Sequence, residues 1–559
     1  RPWMPPPKPG KIPYEKHEKT QIFPTYGMSV LRGGAPGSRL ELIYDHLNTS
    51  NHAHLSRLNF QLFYEGIELL PDFGYSVGFI DPDKEPWKTI KKDYPYEFMG
   101  SPAPRDKWGP WRHAYAMGPE AHCTAMIDYY HHTYSPSYLY GYLGNDAKTN
   151  SGNWAVFSDA GAKAIFKGRP NYVNTFRRQL VVLTMPNGRP IVVDIFRIRG
   201  GRRHDLFFHV ANEMTSSSLG KGKKLSAPNL QKYLGVRPNY DKLTGKVIQH
   251  YGRGGALITG LESHPVPDKV FTMDFDIKPT KLLPKNPKTL AQYGDWPKLL
   301  HDVHLKVWSD ISGSKTEKQE IISAKGPWPG ILEEIDPKTG RIMQGLKIVG
   351  MKDAISYVIG SRSSSKAGLI STYFNVLEPC NPNQKNFIKA VKVLDVQNKK
   401  RMTGLLCEIQ SDAGNVLLAT TLKGKDYKDD KLSMKATLGI SFENSPRALI
   451  YDGSYLKTDN IEIQCQPGWN MQLEGVIGDL TGKPTESALI VSSNTPLPPG
   501  ETYVGRLIYL KHRTPGKRQS VFTVKNISKY SKDRYRIDLL HNPSFIQYVF
   551  KVVKYDPKK

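Results

Sequence analysis

Residues 51–75 read Asn-His-Ala-His-Leu-Ser-Arg-Leu-Asn-Phe-Gln-Leu-Phe-Tyr-Glu-Gly-Ile-Glu-Leu-Leu-Pro-Asp-Phe-Gly-Tyr, and the fold turns on this stretch. Leu58, Phe60 and Leu62 alternate with Asn59 and Gln61, the period-2 pattern of a half-buried strand. Glu65-Gly66 supplies a tight turn, and Ile67 to Leu70 reads as the return strand, ending at Pro71-Asp72. His52 and His54 stand two residues apart, so an extended chain points both imidazoles to the same side. A histidine pair therefore enters a β-hairpin and a carboxylate leaves it.

That arrangement suits a metal, because His and Asp are good zinc ligands. His122, in the run Glu120-Ala-His-Cys-Thr-Ala-Met-Ile-Asp128, is the best further candidate and opens another short β-like segment. In a straight hairpin turning at Glu65-Gly66, Asp72 faces Asn59 rather than His54. Joining His54 to Asp72 then requires a bend before Leu58 or a different pairing. The competing reading is that these histidines are ordinary polar residues at a strand entrance.

Working outward, 559 residues exceed one core and imply two to four domains. With 30 Tyr, 48 Gly and 42 Pro, the composition favours β-structure with many turns. Residues Phe23 to Tyr44 give short strands around the turn Arg32-Gly33-Gly34. Gln179–Leu183 and Ile191–Phe196 flank Pro186-Asn187-Gly188, a strong hairpin signal. After Lys399-Lys400-Arg401 the pattern restarts, with Leu405–Gln410 and Val416–Leu422 bracketing Asp412-Ala413-Gly414. The sequence contains no strong helical segment and no convincing internal repeat. The expected fold is all-β: a Pro-rich arm over 1–22, a large multi-layer antiparallel β-sandwich over 23–399, and a smaller β-domain over 400–559.

Between these strands, residues 81–111 read as a long loop, followed by Trp108, Trp111, His113 and Tyr115. Such aromatics either line a glycan cleft or pin the loop to the sheet. His46 reads as a solvated loop histidine or a spare ligand, and His204 and His209 as packing or rim residues.

The formal charge is 78 − 52 = +26, which implies an acidic partner. The basic residues are spread along the chain and no nucleic-acid-binding motif is present, so a polyanionic sugar fits better than nucleic acid. No run of about twenty apolar residues exists to span a membrane. Cys123, Cys380, Cys407 and Cys465 are widely spaced, with no CxxC pair. The chain opens at Arg1 without an apolar signal segment, as a mature form or a fragment of a longer product would.

The run HAHLSRLNFQLFYEGIELLPDFGY resembles the signature of the heparinase II/III-like β-sheet domain of polysaccharide lyases. Ala121-His122-Cys123-Thr124 is similar to a later segment of that family. So are Phe176-Arg177-Arg178, Val192 to Arg197, Gly200 to Asp205, and the closing strand Ser371 to Pro379. The resemblance covers about residues 24–395. It implies cleavage of an acidic, uronate-containing polysaccharide by β-elimination, in a secreted or periplasmic protein. It implies that His52 faces the substrate cleft as the catalytic histidine, and that His54, Asp72 and His122 hold a structural zinc. Arg57 is a candidate for a sulfate or carboxylate, or else a surface charge, and Tyr115 a candidate proton carrier or a packing tyrosine. The family often has Asp where Ser56 stands, so any histidine oriented from this position is held more weakly. Family members normally carry a helical toroid before the β-region, and this sequence shows none, so a toroid domain or subunit is an expected partner. The alternative reading is a non-catalytic module that binds acidic glycans.

Overall fold

The computed structural model describes residues 20–23, 27–46, 56–72, 78–79, 118–132, 137–144, 154–162, 173–236, 254–279, 300–311, 318–327, 331–335, 342–348, 353–394, 404–422, 426–443, 445–464, 471–477, 488–493, 496–497, 500, 504, 507–510 and 520–539. Of these, 67% lie in strands and 4% in helix, which makes the chain all-β as expected. The helical remainder includes a five-residue turn, Leu230–Leu234. Asn229 caps its start by accepting from Lys232 N, and Gly235 closes it in the left-handed conformation at φ 61°. A helix this short leaves no periodic trace in a sequence.

The central layer is an eight-stranded antiparallel sheet in the order 213–217, 271–277, 303–310, 370–380, 190–200, 173–184, 155–162 and 137–143. Its middle is the expected hairpin, with Thr184 opposite Pro190 and Phe176 opposite Ile198. Asn187-Gly188 turns it, with Gly188 at φ 81° and its N–H donating to the Met185 carbonyl at 2.8 Å. The strands 173–184 and 190–200 are apolar in long runs because both faces of this sheet are covered.

On one face, Leu180, Val182, Val192, Phe196 and Ile198 share a core with a six-stranded sheet through Phe207, Ile322, Tyr357 and Ile359. The N-terminal five-stranded sheet, 21–23, 28–33, 40–45, 59–64 and 67–70, joins the same core through Leu42, Phe60 and Leu62. On the opposite face, Val181, Leu183, Ile191, Val193 and Ile195 pack against Leu405, Cys407, Leu418, Leu438 and Ile440. Those residues belong to a sheet running from 388–394 through 462–464. Its first strand precedes position 400 and pairs with 404–411. The last sheet, built from 471–477, 488–493, 507–510, 520–531 and 534–539, has its own core around Leu489, Val491, Ile527 and Ile537.

Among the described residues, no helix is long and apolar enough to cross a membrane. Cys123, Cys380 and Cys407 are buried free thiols. The arm at 1–19 and the loop at 81–111 lie outside the described residues.

Candidate functional site

The hairpin of residues 59–70 has the turn that the sequence requires. Glu65 and Gly66 both have positive φ, 48° and 81°, and Tyr64 stands opposite Ile67. A bulge between Leu62 and Phe63 shifts the register on the way back. Leu58, Phe60, Leu62 and Tyr64 are buried, and Gln61 and Phe63 half-buried, as the alternation implies. Asn59 is buried as well, because its side chain has partners inside.

Those partners define the site. Asn59 Nδ2 donates to Asp72 Oδ2 at 2.7 Å, so the side chains meet although the bulge moves the strands one residue off the straight register that would set these two residues opposite each other. Asn59 Oδ1 accepts from Cys123 N at 2.9 Å. His122, whose side chain is fully buried, sets Nδ1 3.1 Å from Asp72 Oδ2 across fifty residues of sequence. Asp72 N in turn donates to Glu68 Oε1 at 3.4 Å. Burial, with Asp72's charge adding to it against the bond from Asp72 N, pushes the Glu68 carboxyl up to about 7.

The chain bends at Leu58, just before the strand. Leu58 has φ 61°, a left-handed conformation that costs a non-glycine residue roughly 1–2 kcal/mol. Hydrogen bonds from four sides hold it. Arg57 N donates to His132 Nδ1 at 2.8 Å, and His132 Nε2 lies 2.7 Å from the Ala125 carbonyl. Thr124 Oγ1 donates to the Arg57 carbonyl at 2.6 Å, and Asn59 N to that of Ser56 at 3.3 Å. Arg178 Nη1 donates to the Leu58 carbonyl at 2.9 Å. Strain persists only where surroundings over-determine it, and such places concentrate at functional sites.

His132 and His209 are neutral struts in this frame. Burial brings them down to about 3 and about 4, against the opposing pull of their carbonyl partners. His209 Nε2 sits 2.8 Å from the Pro71 carbonyl, next to Asp72. Burial also raises the Cys123 thiol to about 12, which keeps it protonated and a poor nucleophile at neutral pH.

The structure thus brings Asp72 and His122 together. His52, His54 and Tyr115 lie outside the described residues. Arg57 is 1% exposed, so it is no surface charge. Ser56 is buried, and among the described residues its hydroxyl meets no hydrogen-bond partner. His46, expected in solvent, is buried, 3.0 Å from Ser29 Oγ and depressed to about 3 by burial. His204 is also buried, its ring held by Ser371 Oγ at 2.7 Å and the Gly200 carbonyl at 2.5 Å.

Glu68 and the ion pair of Arg178 with Asp194 do not stand out in the sequence. Arg178 donates to both carboxylate oxygens, at 2.7 and 2.8 Å, and both side chains are fully buried. The signal for this pair is a charge in each of two adjoining apolar strands.

Two donors on one zinc at about 2.0–2.1 Å in tetrahedral geometry lie about 3.3 Å apart. The 3.1 Å between Asp72 and His122 fits that demand. Among the described residues, no group of three such side chains is assembled.

No protein-family model matches this chain, and no curated protein does. Among solved structures it is similar to a heparinase III, with 13% identity over 72% of this chain and 42% of that one, at a TM-score of 0.37. Heparan sulfate lyase HepC from Pedobacter heparinus is similar over the same shares, at 12% identity and a TM-score of 0.33. A putative mutarotase, YeaD, from Salmonella typhimurium matches 65% of this chain and 95% of its own, at 9% identity and a TM-score of 0.23. The chain spans about two fifths of the length of the heparinase structures. Values this low describe a distant likeness of fold and carry nothing about chemistry.

Proposed function

We propose that this chain is the β-region of a polysaccharide lyase that cleaves a uronate-containing polysaccharide by β-elimination. The observation that supports it is the meeting of Asp72 with His122 at 3.1 Å, at the foot of the bent segment that follows His52 and His54. In this reading His54, Asp72 and His122 hold a structural zinc, and that zinc fixes the ribbon presenting His52. His52 takes the C5 proton of the uronate. The electron pair of that C–H bond becomes the C4=C5 double bond as the C4–O4 bond breaks. The leaving O4 then gains a proton, for which Tyr115 is the candidate donor. The uronate charge must be balanced as electron density builds beside it. Arg57 is the candidate for that balancing charge, and the +26 chain draws in the polyanion. A helical toroid, as a domain or a subunit, supplies the other wall of the cleft.

The test is incubation with heparan sulfate or alginate, read by the ultraviolet absorbance of the conjugated product. With the toroid supplied, wild type produces the rise and His52→Ala does not. Binding without product, for either polysaccharide, replaces the lyase with the glycan-binding module.

A further inference from the structure

The guanidinium of Arg178 joins three parts of the chain that are far apart in sequence. Nε and Nη2 engage the Asp194 carboxylate. Nη1 donates to the carbonyls of Leu58, at 2.9 Å, and of Cys123. The rings of Phe60 and Phe196 lie against it, with centroids 4.5 and 4.9 Å from Cζ. Asp194 is itself fixed, since Asn375 Nδ2 donates to its Oδ2 at 2.9 Å and Ser309 Oγ to Asn375 Oδ1 at 2.6 Å. The two carbonyls belong to the two segments that meet at the site: Leu58 precedes Asn59, and Cys123 follows His122.

We infer that Arg178 is a positioning residue, which sets the distance between the bent ribbon and the His122 segment by bonding one carbonyl of each. A fork of five N–H donors does this and an ammonium does not, so lysine is a poor replacement despite its charge. The consequence for zinc and turnover rests on the function proposed above; the consequence for backbone order does not.

Arg177 provides an internal control. It is the next residue, also buried and paired with a carboxylate, Asp159, at 2.6 and 2.5 Å. It points to the opposite face of the sheet and stacks on Tyr140 at 4.3 Å.

The experiment compares Arg178→Lys with Arg177→Lys in the full chain, by amide hydrogen exchange, zinc affinity in chelator competition, and kcat and KM on a uronan. Arg178→Lys is expected to lose exchange protection at 56–64 and 122–127. Zinc affinity and kcat should fall on the order of ten- to a hundredfold, as for other residues that orient metal ligands, with KM within about twofold. Arg177→Lys should leave all of these near wild type even where its melting temperature falls as far. Equal losses in both variants, or intact protection at 56–64 and 122–127 in Arg178→Lys, would overturn the inference. If wild type neither binds zinc nor turns over and the exchange contrast persists, the positioning role stands and the lyase reading fails. If Arg178→Lys does not fold, Asn375→Ser takes its place, since it frees Asp194 Oδ2 and Ser309 Oγ while leaving the Arg178 guanidinium intact. A smaller loss of protection at the same two segments supports the inference, and an unchanged pattern sinks it.

Discussion

On the face of the eight-stranded sheet that meets the N-terminal hairpin, Arg178 is locked to Asp194. On the opposite face, Arg197 donates to the amide oxygen of Gln179 and to Thr420, its hydroxyl at 2.7 Å and its carbonyl at 3.4 Å. Both arginines are completely buried. Burial works against the charge of Arg178, but Asp194 more than offsets it, and the guanidinium holds its proton above its ordinary value. Burial brings Arg197 down to about 9, with Arg177 pushing the same way and Asp159 pulling back. The first face carries a matched ion pair that orders backbone. The second carries, beside the Arg177–Asp159 pair, a charge at Arg197 held by dipoles between two sheets. A buried charge is informative by its partners, and the same residue type does different work on the two sides of one strand pair.

The widest gap between the faces should open in acid. His46, His132, His204 and His209 are neutral and buried on the hairpin side, depressed to about 3, 3, 3 and 4 by burial. The sheet on the other side, residues 404–464, contains no histidine. Unfolded histidines titrate near 6.5. The unfolded chain therefore binds more protons below that value, and stability is complete above it. Each histidine then removes up to about 1.4 kcal/mol per pH unit as pH falls toward its folded value. Hydrogen exchange at pH 5 should show protection lost at 56–64 and 204–211 before 404–442. Simultaneous loss would mean that the two faces are one cooperative unit.

Asp194→Ala comes next. It strands the Arg178 charge and should cost about 3–5 kcal/mol in denaturant unfolding. Arg197→Met should move stability by no more than about 1 kcal/mol in either direction, because the lost dipole contacts are offset by relief of desolvation. Comparable costs for the two variants would erase the distinction drawn here.

The smallest effect belongs to a half-exposed cluster at one end of the same sheet. His304 is raised by its bonds to Asp274, 3.2 Å, and Asp276, 3.0 Å, and Asp274 is lowered by His304 and Ser216 despite partial burial. The sign for His304 is opposite to that of the buried histidines, and the sign for Asp274 is the same. The His304 contribution is present below 6.5 and lost as pH rises through its higher folded value. The Asp274 contribution is present above 3.8 and lost as pH falls. Asp274→Asn should therefore cost most near pH 5.5, under about 1 kcal/mol after solvent screening, and less at pH 8.5.

The local features of this molecule were legible in its sequence. Alternation at Leu58, Phe60 and Leu62 and the turns at Glu65-Gly66 and Asn187-Gly188 follow from period 2 and turn chemistry, while the bulge at Leu62 does not show in that pattern. Residue type alone offers His122 as a further ligand beside Asp72, and the resemblance strengthens that choice, but spacing does not join residues fifty apart. Burial of His46 depends on Ser29, which also meets Ser158 at 3.2 Å across 129 residues. Arg178 and Asp194 read as two polar interruptions of apolar strands until the register, with Leu180 opposite Asp194, brings them side by side.

The wall formed by Val181, Leu183, Ile191, Val193 and Ile195 has a practical consequence. Anyone dissecting this protein would be tempted to stop the clone near residue 400 and study the chemistry in a shorter piece. That cut removes Leu405, Cys407, Leu418 and Ile440, and leaves the middle of the central sheet bare on one side. The shortened piece should aggregate on expression, and an inactive preparation of it would say nothing about His52.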